Sequence, residues 1–300
     1  FFFADVTVIV TVMVDHPIVP DLHDSPVDDA ASCNTSTASV ATLTPSTASR
    51  MKLYAKQVAS MPAQLRREVT FSFDTQKYNL RAVVASMLLT SGDVEELSIL
   101  HEVAEFAASR CRGRPALVNK RWRNQGLRPN EQAEAFRRLY GLFVDEVVAK
   151  ELGCSNGLVY QRQPVLRCHT PGSKALGHPH RDELYNRQPW EVNIWLPLTP
   201  VYGNNSLWVE SERGKEDMHP FELEWGRAVH FWGSQVLHMT KPNDTATTRV
   251  SLDFRVIPKE LYVDNYVSPL GRSGRADHVL GGSYTDTETE RAWRATLSLS

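Results

Sequence analysis

The chain reads as an all-β core buttressed by helices. Two observations carry this expectation. Long apolar stripes at helical spacing fill the first half of the folded region, and short runs of alternating polarity, separated by Gly, Pro and Asn, fill the second. Helices followed by many short strands favour an antiparallel sandwich or barrel. The bulk numbers agree with a globular protein: 300 residues, 42% hydrophobic and 23% charged.

The first fifty residues differ in texture. The chain opens on Phe1, and residues 1–14 (FFFADVTVIVTVMV) are apolar and β-branched. Residues 31–50 are rich in Ser, Thr and Ala and hold no acidic residue. Such a tract buries too little apolar surface to order itself. Residues 1–50 are therefore expected to be a disordered leader, with read-through of non-coding sequence or an organelle-targeting segment as alternatives. Residues 51–300 are expected to form a single domain: a helical part over about 51–153, a β core over about 154–258 and a tail over 259–300.

Within the helical part, Asp93 with Glu96 suggests a capping box. It would open a helix over 94–111, with Leu97, Leu100, Val103, Ala104 and Ala107 on one face. A second helix is expected after Asn130, with Phe136, Leu139, Tyr140, Phe143, Val147 and Leu152 as its stripe and Gly153 as its stop. Strands are expected at 158–168, 191–198, 206–210, 227–232 and 248–257. After Pro258 the tail reads as loop with a short helix near Trp293.

A net charge of −2 and a pI near 6.6 leave no electrostatic footprint for nucleic acid or an anionic membrane. Clusters such as Arg110–Arg114 and Lys120–Arg123 read as solvated faces. Four scattered cysteines without a CxxC pair argue against a zinc knuckle or disulfide framework and suit a reducing compartment. No stretch approaches the length of a membrane span. A cytoplasmic location is expected, with the targeting alternative for residues 1–50.

The stretch that carries chemistry runs from Gly177 to Arg255. His180-Arg181-Asp182 places an imidazole and a carboxylate two residues apart, on the same side of an extended chain, where both can reach one ion. By itself the motif is weak, since ten histidines and sixteen aspartates in 300 residues give about half an occurrence by chance. Two imidazoles and a carboxylate on one face of an octahedron form the facial triad of non-haem Fe(II) oxygenases. Two further histidines compete for the third position, His238 and His230. His230, beside Phe231 and Trp232, reads as a core or pocket-wall residue. His178 lacks a carboxylate at i+2. Over 248–256, Arg249, Ser251, Asp253 and Arg255 share one face and Val250, Leu252, Phe254 and Val256 the other. A guanidinium with a neighbouring hydroxyl suits a carboxylate.

H-x-D, then His238 lying 56 residues on, then Arg249-x-Ser251 another 11 residues later, resembles the pattern of the 2-oxoglutarate/Fe(II) dioxygenases. The wider text over Tyr160–Pro258 (PHRDELY, EVNIWLPLTPVYGNNSLWVES, HMTKPNDTATTRVSLDFRVIP) resembles the oxygenases of streptomycin-type biosynthetic clusters, within the phytanoyl-CoA hydroxylase-like group. The resemblance implies a double-stranded β-helix (a cupin-like jelly roll). It implies His180, Asp182 and His238 as catalytic metal ligands, and Arg249 with Ser251 on the distal carboxylate of 2-oxoglutarate. Asn193 is a further candidate for the co-substrate or substrate pocket. The implied cofactors are Fe(II), 2-oxoglutarate and O₂, and the implied reaction oxidises a small polar metabolite with release of succinate and CO₂. Within the same fold, a metal-dependent isomerase or a non-catalytic binding module is the alternative.

Arg255 is left open between a structural and a substrate role. Gln161 and Arg167 read as ordinary strand polarity, and Trp190, Trp195, Trp208, Trp225 and Trp232 as packing. Loops 183–190 and 211–221 are expected to carry specificity. His180-Arg181-Asp182 and Asp253-Phe254-Arg255 also mimic the HRD and DFG signatures of protein kinases. That reading fails, because position 187 is Arg instead of Asn, the DFG glycine is missing, and there is no glycine-rich loop.

Overall fold

The computed structural model describes residues 45–107, 110–111, 114–115, 118, 122, 130–270 and 279–297. Nearly all of the segment read as a leader lies outside the described residues. Its last six residues belong to helix α1 (Pro45–Ala59), which runs through Met51 without a break. No described helix is long and apolar enough to cross a membrane.

Three layers build the folded part: helices, a seven-stranded sheet and a three-stranded sheet. The large sheet comprises β1 (Val69–Ser72), β4 (Leu158–Gln161), β5 (Val165–His169), β6 (Val192–Pro197), β9 (Arg227–Phe231), β11 (Arg249–Pro258) and β12 (Tyr284–Asp286). Its order is β1-β9-β6-β11-β4-β12, with β5 also on β11, and every pairing is antiparallel. The small sheet, order β10-β7-β8, comprises β7 (Leu207–Val209), β8 (His219–Pro220) and β10 (His238–Thr240). A third, two-stranded sheet pairs β2 (Arg110–Cys111) with β3 (Arg114–Pro115).

β11 is the spine of the large sheet. Leu252 and Asp253 are flanked by Leu166 and Val165 of β5 on one side and by Leu196 and Trp195 of β6 on the other. The period-two pattern read from the sequence sorts its side chains as expected. Val250, Leu252, Phe254 and Val256 are fully buried in the helix-side core, where Phe254 meets Tyr140 edge-on at 5.1 Å. Arg249, Ser251, Asp253 and Arg255 face the small sheet. β6 splits likewise, with Val192, Ile194 and Leu196 towards the helices, and Trp195 towards a second apolar cluster that includes Val209, Val229 and Phe231.

α4 (Glu131–Phe143) and its continuation cover the helix side, together with α2 (Leu80–Leu88). Asn130 caps α4 by accepting the Ala133 N–H at 2.8 Å, and Glu131 and Glu134 suit the positive helix start. The helix continues through a π turn, Val144–Val148, to Glu151, and Gly153 (φ +68°) ends it in a left-handed conformation as read. The tail helix α5 (Thr287–Leu297) contains Trp293, again as read.

The helix expected over 94–111 does not form. A 3-10 turn, Glu95–Leu97, and one short helical turn, α3 (Ala104–Ala107), replace it. The competing partner is the sheet. Ser98 O accepts the Thr248 N–H at 2.7 Å, and the His101 ring bonds the Thr248 hydroxyl at 2.8 Å. Leu97 and Leu100 are still fully buried, so the apolar spacing marked burial correctly and helix wrongly. Asp93 accepts from Glu95 N at 3.0 Å and Glu96 accepts from Ser91 in place of a capping box. The expected strand 158–168 divides into β4 and β5.

Two histidines are buried without a counter-charge. His230 lies 3% exposed on β9, its ring 6.3 Å from Phe71, and burial pushes it down to about 4. Burial, reinforced by the Arg249 charge, does the same to His169. Both are neutral when folded, while the unfolded chain takes up protons below about pH 6.5. Stability from these groups is therefore fully present above about pH 6.5 and is lost as pH falls towards 4. Denaturant unfolding followed across that range should show a stability that falls with acidity, and His230→Phe should flatten part of the slope.

Candidate metal centre

Between the two sheets, His180, Asp182 and His238 bring one ligand atom each to within 4.8 Å of one another. The backbone dictates the approach. His180 and His238 form an isolated antiparallel bridge, each N–H donating to the other's C=O at 3.1 and 3.0 Å, and their rings lie 4.3 Å apart. Thr240, two residues beyond His238, accepts the N–H groups of Leu176 and Gly177 on its hydroxyl at 2.7 and 3.1 Å. That fixes the chain leading into His180. Asp182 N donates to Gly233 O at 2.9 Å.

Both imidazoles are held in the same tautomer. Nδ1 of His180 faces His178 O at 2.8 Å, and Nδ1 of His238 faces Val236 O at 3.1 Å. A carbonyl can only accept, so each Nδ1 carries a proton, and Nε2 is the atom on each ring that can offer a lone pair to a metal. Those two nitrogens lie 3.6 and 3.7 Å from Asp182 Oδ1. The other carboxylate oxygen, Oδ2, accepts from Asn193 Nδ2 at 2.8 Å and from the Arg255 guanidinium at 3.0 and 2.9 Å. The two oxygens thus divide their work: one faces the imidazoles, and one anchors the carboxylate to the large sheet.

The electrostatics suit a cation. Burial works to raise the Asp182 carboxyl, but the Arg255 charge and the His180 hydrogen bond hold it well below the usual carboxylate range. Burial lowers His238 and outweighs the nearby Asp182, leaving a neutral donor. For His180 burial pulls down and Asp182 pulls up, and the carboxylate prevails. A metal ion binding here takes the place of a proton on that nitrogen.

A cavity opens beside the three ligands, bounded by Asn193, Trp195, Phe231, Arg167 and Arg249 among others. Arg249 is 1% exposed, and among the described residues its side chain makes one hydrogen bond, to Asn205 O at 3.1 Å. Its Nε is buried with no partner, and among the described residues no carboxylate lies within 4.0 Å of it. Burial, with Arg167 adding repulsion, pushes the guanidinium down to about 9, so it is still charged at neutral pH. A buried, uncompensated guanidinium lining a cavity is costly unless an anion joins it. Ser251 shares its strand face and keeps a buried hydroxyl without a partner, but it does not line the cavity.

Two imidazoles and one carboxylate on one side, with open space beside them, are the kind of donor set that facial-triad non-haem iron sites use. Over 146 residues the chain is 38% identical to the streptomycin biosynthesis protein StrG of Streptomyces griseus, covering 46% of this chain and 70% of that protein. The chain belongs to the StrG family. No protein-family model matches it. Among solved structures, it is similar to the nickel complex of the non-haem monooxygenase ThoJ (14% identity, TM-score 0.42, 76% of this chain and 86% of that one). It is also similar to SnoK, a non-haem alpha-ketoglutarate-dependent carbocyclase from nogalamycin biosynthesis (13%, TM-score 0.43, 77% and 98%). EctD from S. alaskensis in its apo form is a third (13%, TM-score 0.45, 74% and 81%). At these scores the reading of the site rests on its own geometry.

The structure thus brings together His180, Asp182, His238, Asn193 and Arg249, which the sequence had singled out. His230 points to the opposite side of its sheet, towards Phe71. Asn193 does more than line the cavity, because it holds Asp182. Arg255, left open between two roles, holds it too. Trp195, read as packing, is also a cavity wall.

Sequence reasoning missed the support behind the ligands. Arg181 points away from the metal side, donating to Gln235 O at 2.9 Å and to Glu210 at 2.7 Å. Glu183 accepts from Tyr54 of α1 at 3.0 Å and from Arg213 at 2.8 Å. Glu210, 1% exposed, also accepts from Leu237 N at 2.6 Å, beside His238. The signal was the alternation itself: in His180-Arg181-Asp182-Glu183, even positions serve the metal and odd positions the support.

Gly233 supplies a direct test. A Cβ there would come within 2.6 Å of the Asn193 side chain, which presses on this glycine while holding Asp182. Gly233→Ala should displace Asn193 and weaken metal binding by about 10- to 100-fold, the usual cost of disturbing a ligand's outer partner. Anaerobic Fe(II) titration measures it, and an unchanged affinity would remove Asn193 from the support of the site.

Proposed function

We propose that this protein is an Fe(II)/2-oxoglutarate-dependent oxygenase, with His180, Asp182 and His238 as metal ligands and Arg249 as the anchor of the co-substrate's distal carboxylate. The carrying observation is a His-Asp-His cluster beside a cavity lined by a buried guanidinium that has no carboxylate partner among the described residues. The donors fit iron, and the orphaned Arg249 Nε fits an acidic co-substrate. Residues 51–300 would act as a single catalytic domain, and the two facing antiparallel sheets fit a double-stranded β-helix.

When bound, iron with 2-oxoglutarate and O₂ supplies the oxidising chemistry, consuming the 2-oxo acid to succinate and CO₂. The chain's own residues do the rest. Arg249 binds a carboxylate as a planar fork, and Ser251 offers a hydroxyl on the same strand face as a second donor. Arg255 and Asn193 hold Asp182 Oδ2, which leaves Oδ1 facing the two imidazole nitrogens, where it would serve as the carboxylate ligand. The carbonyls of residues 178 and 236 keep the two imidazoles in their metal-binding tautomer. Trp195 and Phe231 exclude water from the cavity wall. Family membership with StrG, named for streptomycin biosynthesis, supports a small polar metabolite as the substrate to be hydroxylated, desaturated or cyclised.

Anaerobic protein with Fe(II) and 2-oxoglutarate should develop a weak visible charge-transfer band. His180→Ala should abolish iron uptake. Arg249→Met should retain iron and lose co-substrate affinity by on the order of 30-fold or more, because it removes the charged partner of a buried carboxylate. An Arg249→Met protein that binds 2-oxoglutarate like wild type would overturn the assignment.

A further inference from the structure

The metal cavity holds one cation more than the proposed chemistry uses. Three guanidinium groups line it, those of Arg167, Arg249 and Arg255. Arg255 is committed, with two nitrogens on Asp182 Oδ2 at 3.0 and 2.9 Å and a third 3.5 Å from Asp253. Arg249 is reserved for the co-substrate carboxylate in the reading above, on which this inference rests. Arg167 is left. It lies on β5 directly across from Ser251 in the β11 register, so its side chain shares the face that carries Arg249 and Asp253. Among the described residues its side chain has no hydrogen-bond or ion-pair partner. It is half-buried where Arg249 is fully buried, which places it nearer the mouth.

Charge accounting gives the same answer. A divalent metal and a doubly negative 2-oxo acid cancel each other. The cavity's three guanidinium groups then face only two carboxylates, Asp182 and Asp253. One positive charge is left, in a site whose other walls include Trp195, Phe231 and Leu207 and whose screening by water is reduced. A guanidinium in such surroundings binds carboxylate or phosphoryl oxygens through its fork, and repels amines.

We propose that Arg167 is a specificity-determining anchor, and that the primary substrate carries an anionic group, a carboxylate or a phosphoryl, which Arg167 receives while the remainder of the molecule lies against Trp195 and Phe231. The substrate is thus a small polar acid or phosphate ester. A free polycation is disfavoured, because it would meet Arg167 unpaired.

Calorimetry on anaerobic protein saturated with Fe(II) and 2-oxoglutarate tests this with acetate and methyl phosphate as probes, in low-salt buffer. Wild type should show one saturable site for at least one probe, and the tighter probe identifies the group. Arg167→Met should weaken that site at least tenfold while changing 2-oxoglutarate affinity by less than about twofold, and Arg167→Lys should restore part of the binding. The proposal is overturned if neither probe binds, if both bind Arg167→Met as they bind wild type, or if Arg167→Met loses 2-oxoglutarate as Arg249→Met does. Should wild type take up no iron or co-substrate, the oxygenase reading itself fails. Titrating the same probes into metal-free Arg249→Met protein, with and without Arg167→Met, then still decides whether residue 167 binds anions.

Discussion

His180 and His238 exchange backbone hydrogen bonds across a single antiparallel bridge, and the site's geometry follows from that exchange. The bridge brings two imidazoles, distant in sequence, to within 4.3 Å between ring centres. Extended backbone at residue 181 (φ −114°, ψ 140°) then sets Asp182 on the same side as His180. Everything else acts on this frame. The Val236 and His178 carbonyls choose the tautomers, and Asn193 and Arg255 turn the carboxylate. The large sheet matters to the metal chiefly because β6 and β11 deliver those two polar side chains in register, Arg255 directly opposite Asn193.

Burial decides the energetics. Arg255 and Arg249 sit on one strand face six residues apart, both all but removed from water, yet their situations are opposite. Arg255 gains enough from Asp182 to outweigh its desolvation, and its charge is reinforced. Among the described residues Arg249 finds one backbone carbonyl and, at 5.8 Å, the face of the Trp195 ring, and burial still outweighs what it gains. A protein that keeps such a group buried retains it against the interest of its own stability, and that is the physical reason for reading Arg249 as a binding residue.

Much of this was legible beforehand, for identifiable reasons. β11 declared itself because Arg249 to Val256 alternates without a fault, and strict alternation admits few other readings. The second helix declared itself because an Asn cap, an apolar stripe and a terminal glycine agree. The segment 94–111 misled because helical spacing reports only which residues are buried. There the backbone of Ser98 turned to the sheet edge at Thr248, a long-range partner that no local pattern reveals. The clustering of His180, Asp182 and His238 was legible through spacing, whereas the parts played by Glu210, Tyr54 and Gly233 were not. Each of those acts across the fold, and each as a residue type with many commoner uses.

The stretch His180–Glu183 is occupied on both sides, with the proposed metal ligands on one and an ionic support on the other. No position in it is free to drift alone. Recombination between relatives that parted Tyr54, Glu210 or Arg213 from this tetrapeptide would carry the ligands over intact and still deliver them loosely held. The unit of inheritance for the metal pocket is therefore larger than its three-residue motif, reaching back to α1, outside the sheets altogether.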